Sequence, residues 1–64
     1  MKLIKLKAVM DCTGLARSTV YKFIAEGRFP KPVKLGVRMV AWVESEIQQW
    51  ILDKIEHREQ VVEK

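Results

Sequence analysis

The apolar positions of this 64-residue chain change their spacing from one stretch to the next, and each change marks an element. Leu6, Val9, Met10 and Thr13 fall at i, i+3, i+4 and i+7, which lines one side of a helix of about two turns. Gly14 stops it, because a residue without a Cβ allows the sharp exit that a helix end needs. Ahead of this helix, Leu3 and Ile4 in the stretch MKLIK form an extended lead-in.

After Gly14 the helical spacing resumes in a new phase. Val20, Phe23 and Ile24 sit at i, i+3 and i+4, so a second helix runs from about Arg17 to Glu26 and stops at Gly27. Leu15, apolar within the turn, is placed to plug the gap between the two helices. The start of the second helix has two readings. Ser18 is the nearest good N-cap, whereas Ala16 holds the cap position if the helix begins earlier, and alanine is a poor cap.

From Gly27 the period changes again. Pro30 and Pro32 lack N–H donors and push the residues before them toward extended geometry, so Arg28 to Pro32 does not continue the helix. Apolar and polar residues then alternate from Val33 to Trp42 on both sides of Gly36, which predicts two short strands with a turn near Gly36 and Val37. An isolated hairpin is marginal in water, so Trp42, Val33 and Leu35 are expected to anchor it to the helices. A third helix begins near Glu44, and Glu44 and Glu46 favour its positive N-terminal end. Ile47, Trp50, Ile51 and Ile55 form its apolar stripe, and the pattern fades from about residue 58 into a frayed tail. The fold class is therefore mainly α with a small β-hairpin, in the helix-helix-hairpin-helix order of a winged helix-turn-helix.

Composition narrows this picture. A 48% apolar content with two Trp argues for a folded globule, and 64 residues leave room for one domain spanning 1–64. A domain this small buries only about 60% of its unfolded surface, so its core is near the minimum for independent folding. The net charge of +4 is unevenly placed. Residues 1–43 hold nine Lys or Arg against Asp11 and Glu26, giving +7, while residues 44–64 hold three against six acids, giving −3. A basic body suggests a polyanionic partner.

Other chemistries find little support. One cysteine, Cys12, rules out an internal disulfide, and with a single His57 there is no ligand set for a structural zinc. Neither a nucleophile with its base, nor a metal cluster, nor a phosphate-cradling glycine loop is present, so no enzyme, cofactor or metal is expected. The N-terminus reads as neither signal peptide nor membrane span, which makes the cytoplasm the default location.

What remains is nucleic-acid recognition. Arg17, Ser18, Thr19 and Lys22 offer hydrogen-bond donors on the polar side of the second helix, which suits phosphates and base edges in a DNA groove. Tyr21 flanks the apolar stripe, either as a half-buried ring or as a phosphate contact through its hydroxyl. Lys34 and Arg38 stand near the hairpin tip and Lys31 near its base, positioned for flanking backbone or minor groove.

The stretches GLARSTVYKFIAEGRFPKPVKLG and VAWVESEIQQW also resemble the AlpA-like prophage regulators, relatives of phage excisionases and of the DNA-binding part of MerR-type regulators. The resemblance runs from about Leu3 to Ile51. It implies a winged-helix protein of a bacterium or prophage that binds promoter or attachment-site DNA, either activating an integrase gene or directing excision. It gives Arg17, Ser18, Thr19 and Lys22 the recognition-helix role, and Lys34 and Arg38 the wing role. Two positions depart from the pattern: Ala16 stands where similar sequences have Ser, and Lys7 where many have Pro. The expected partner is double-stranded DNA at the bacterial nucleoid. An integrase or RNA polymerase is the candidate protein partner, and a homodimer on DNA, using Leu52, Val61 and Val62, is an open alternative.

Overall fold

The computed structural model of the chain describes residues 1–58. The expected tail beyond about residue 58, and the contact assigned to Val61 and Val62, lie outside them. The elements in chain order are β1 (Leu3–Ile4), α1 (Leu6–Thr13), α2 (Arg17–Ala25), β2 (Val33–Lys34), β3 (Val40–Val43) and α3 (Glu44–His57). Three helices and a small antiparallel hairpin form the expected winged helix-turn-helix.

The lead-in is more than an extended segment. β1 pairs antiparallel with β3 through Leu3↔Val43 and Ile4↔Trp42, which makes a three-stranded sheet of order β1-β3-β2. Glu44 N–H extends the pairing by donating to the Lys2 carbonyl at 2.8 Å. Two residues are too few for periodicity to reveal a strand, and their partner lies some forty positions away in the chain. β3 is consequently the central strand, and α1 and α3 both pack on it.

Both helix exits use glycine. Gly14 has φ 75° and donates its N–H to Met10 O at 2.7 Å. The turn to α2 is tied by Thr13, whose hydroxyl donates to Val9 O at 2.8 Å and accepts from Leu15 N–H at 3.2 Å. Gly27 has φ 74°, and there Gly27 N–H donates to Ile24 O while Arg28 N–H donates to Phe23 O, the paired bonds of a Schellman motif. The chain thus leaves α2 in a defined direction.

The core gathers Ile4, Val9, Val20, Phe29, Trp42 and Ile47, with Leu6, Met10, Leu15, Phe23, Ile24, Trp50 and Ile51 packed around it. The three helical stripes and Trp42 were legible from spacing, whereas the buried Phe29 sits in a stretch with no period at all. Three expected positions are corrected. Val33 and Leu35 do not anchor the hairpin; both are exposed, because the helices cover β3 and leave β2 as an outer edge. Ile55 is 44% exposed, since α1 ends at Gly14 and only Cys12 and Thr13 reach the depression beside it.

The segment between α2 and β2 is held by both tryptophans. Trp42 Nε1–H donates to Pro30 O at 3.0 Å, and Trp50 Nε1–H donates to Arg28 O at 2.8 Å. Between these carbonyls Phe29 meets the Trp50 ring edge-on, with centroids 4.8 Å apart. Replacing Trp42 by Phe removes a donor and volume from a fully buried site and leaves the Pro30 carbonyl without that partner. Urea unfolding followed by circular dichroism should show a loss of about 2–4 kcal/mol. A loss under about 0.5 kcal/mol, the level of an ordinary surface substitution, would mean that the indole bond does not hold this segment.

Candidate nucleic-acid interface

α2 divides cleanly around its axis. Val20 is fully buried and Phe23 and Ile24 are half-buried, while Arg17, Ser18, Tyr21, Lys22 and Ala25 are exposed at i, i+1, i+4, i+5 and i+8. Thr19 does not share this face fully. It is half-buried, one turn before Phe23 and on that residue's side of the helix. Tyr21 is the more central of the two: 39% exposed, it sets its ring edge on Trp42 at a centroid distance of 6.5 Å. The Arg17 guanidinium lies 6.0 Å from the Tyr21 ring centroid, the outer limit of a cation–π contact.

Strand register relates the hairpin to this face. Lys34 is the direct partner of Val40, and cross-strand partners project to one side of a sheet, as do residues two apart along a strand. Lys34 therefore projects from the same sheet face as Val40 and Trp42, the face that meets Tyr21. Arg38 sits in the five-residue connection from Leu35 to Met39 and is exposed. From Gly27 to Val43 the chain carries Arg28, Lys31, Lys34 and Arg38 and no acid.

Lys31 stands apart. It is exposed and lines an open groove between the segment 27–33 and α3, together with Arg28, Glu46, Gln49, Asp53 and Lys54. Arg28, beside it in sequence, is held locally: its guanidinium pairs with Glu26 at 3.1 Å and lies 4.9 Å from the Phe23 ring centroid. Lys7 is paired too, with Asp11 at 3.9 Å, although both side chains are largely exposed and the pair is worth little.

Tyr21 of α2 and Lys34 of the hairpin thus lie on the same face of the sheet. A sequence model of the family described as "Prophage CP4-57 regulatory protein (AlpA)" matches residues 2–55, which contain every one of these elements except the last two residues of α3. The chain belongs to the AlpA family. "DNA-binding transcriptional activator AlpA" of Escherichia coli (strain K12) is 37% identical over 57 residues, covering 80% of this chain and 81% of that protein. "Uncharacterized protein ORF88" of Enterobacteria phage P4 is 40% identical over 57 residues, covering 89% of this chain but 65% of its own length. The chain therefore spans just under two thirds of this phage relative. Among the described residues no helix is long and apolar enough to cross a membrane.

In this AlpA-family chain the N-cap of α2 is Ala16, in extended geometry at φ −74° and ψ 158°, and no side chain caps the helix. Of the two readings of the helix start, the earlier one holds. Ala16→Ser supplies an oxygen for the first-turn N–H groups and should raise stability by about 0.5–1 kcal/mol. In a domain of this size that lifts the thermal midpoint by roughly 2–8 °C. An unchanged or lower midpoint would argue that the serine hydroxyl cannot reach those donors.

Proposed function

We propose that this chain is a sequence-specific, DNA-binding transcriptional regulator of prophage or integrative-element genes, built as a single winged-helix domain. What supports this reading is membership of the AlpA family together with the exposed Arg17, Ser18, Tyr21 and Lys22 on α2 and the exposed Lys34 on the sheet face that meets Tyr21. The name of the Escherichia coli relative supports the same activity. α2 enters the major groove, which admits a helix and displays distinct donor and acceptor patterns for each base pair. Arg17, near its N-terminus, is the candidate for base readout, because its fork matches the acceptor pair of guanine. Ser18 and Lys22 hold phosphates, Tyr21 adds its hydroxyl, and Thr19 contributes from the margin.

The hairpin acts as the wing. Lys34 and Arg38 sit on the flanking backbone, and Lys31, set beside Glu46 and Asp53, contributes at most through the long-range field. Such a protein works on duplex DNA in the bacterial cytoplasm and carries out no catalysis itself. An integrase or the transcribing polymerase is the protein partner, and a second copy on neighbouring DNA is the alternative.

Excision directed at an attachment site is the competing task for the same surface. α3 carries Glu44, Glu46, Asp53 and Glu56, carboxylates that a basic protein partner could engage in that task. Recombination of attachment-site substrates in the presence of integrase separates this task from promoter activation in a reporter assay.

Anisotropy titrations against duplex DNA selected by the protein from a randomised pool test the common core. Log affinity should fall with log salt at a slope of about −3 to −4, as expected when roughly four cations neutralise phosphates. Lys34→Ala and Arg38→Ala should each flatten that slope by about 1 and weaken all sequences alike. Arg17→Ala should cost about 1–3 kcal/mol and relax preference at one base position. A slope near zero, or a wing variant that affects only one sequence, would contradict the assignment.

A further inference from the structure

The hairpin tip carries apolar surface that the fold does not use. Leu35 is 47% exposed, Met39 51% and Val37 93%, all within five consecutive residues. Exposed apolar side chains are ordinary when scattered singly, but a contiguous cluster at a protruding tip marks a contact surface. The tip is also pre-formed. Leu35 N–H and Gly36 N–H both donate to the Met39 carbonyl, at 2.7 and 3.2 Å, and Met39 packs over Gly36, whose missing Cβ would sit 3.8 Å from the Met39 side chain. Val37 is left standing outermost, between Lys34 and Arg38.

Charge decides which partner fits. No carboxylate occurs from Gly27 to Val43, while Lys34 precedes the apolar cluster and Arg38 lies within it, next to Val37. The partner must therefore present an anionic rim around an apolar floor. The DNA minor groove offers this where a base step opens, with phosphate rails on both sides of sugar walls and of the apolar faces of the bases. At about 6 Å wide it admits a loop tip and not a whole ribbon. Lys34 also shares the sheet face that meets α2, so the tip reaches the same duplex that α2 would read.

Resting on the DNA-binding reading above, we propose that Val37, backed by Leu35 and Met39, is a wedge that presses between base steps from the minor groove. Lys34 and Arg38 hold the phosphates on either side. Apolar side chains used in this way unstack a step and kink the duplex, typically by about 20–90°, bending it toward the major groove. The wing would then shape the DNA and not only adhere to it.

The test uses the full chain and a duplex of about 20 bp selected by it from a randomised pool, carrying a donor and an acceptor dye at its ends. The wild-type chain should raise energy transfer on binding, because a kink shortens the end-to-end distance. Val37→Ser, at a site exposed enough to leave folding intact, should still bind with less than about tenfold loss, yet leave energy transfer at its free-DNA value. Val37→Ile should keep the bend. Binding without any change in transfer, or equal bending by Val37→Ser, overturns the wedge while leaving DNA binding standing. If no duplex is enriched from the pool, the DNA-binding reading fails and the wedge with it. Self-association in the absence of DNA that Val37→Ser abolishes, or Val37-dependent sedimentation with phosphatidylserine vesicles, assigns the tip to another partner and also overturns it.

Discussion

Two indole N–H groups fix the geometry on which everything else rests. The buried Trp42 indole needs an acceptor and takes the carbonyl of Pro30, while the half-buried Trp50 takes that of Arg28. The two carbonyls bracket Phe29, which is buried between the sheet and α3. This segment is the only covalent connection from α2 to the hairpin. Without those bonds it would be an irregular linker with two prolines, and the angle between α2 and the hairpin would be unset. With them, a domain of minimal size holds two separate contact elements in one arrangement. The same tryptophan that anchors β3 supports Tyr21 on the exposed side of α2. Core and candidate interface therefore meet in a single ring.

That economy shapes the surface. Among the described residues β3 is the only strand with neighbours on both edges, and the helices cover it, so little apolar material remains to pack β2. The hairpin can then project beyond the core, with charge at Lys34 and Arg38 and apolar residues at its tip. The acids that compensate the basic body are gathered on α3, where Glu44 and Glu46 also suit the helix dipole. The result is a chain whose first 43 residues are basic and whose last helix carries most of the acids. Separation of this kind orients approach to a polyanion before any contact forms.

Much of this was legible in the sequence because its signals are local. The stripes of α1 and α2, the glycines at 14 and 27, and the alternation around Gly36 each report on a few consecutive residues. What escaped was long-range. β1 is two residues long and gains its identity only from β3, and Phe29 is buried by partners twenty residues away. The burial of Val33 and Leu35 was misjudged for a related reason: alternation shows that a strand has two faces, but not whether anything lies over either. Within the candidate interface, helical spacing identified the exposed positions Arg17, Ser18 and Lys22. Thr19, grouped with them, is half-buried on the Phe23 side, and Tyr21, 39% exposed, packs against Trp42.

The central claim is that α2 and the hairpin, locked together through Trp42, form one DNA-facing side. Its most direct test is a titration of the isotopically labelled chain with a selected duplex, following backbone amide chemical shifts. Large shifts are predicted from Arg17 to Lys22 and from Lys34 to Met39, moving together with a single apparent affinity, while Gln48 and Leu52 on α3 stay in place. Shifts centred on α3 or on the groove lined by Glu46 and Asp53, or two groups titrating with separate affinities, would contradict it.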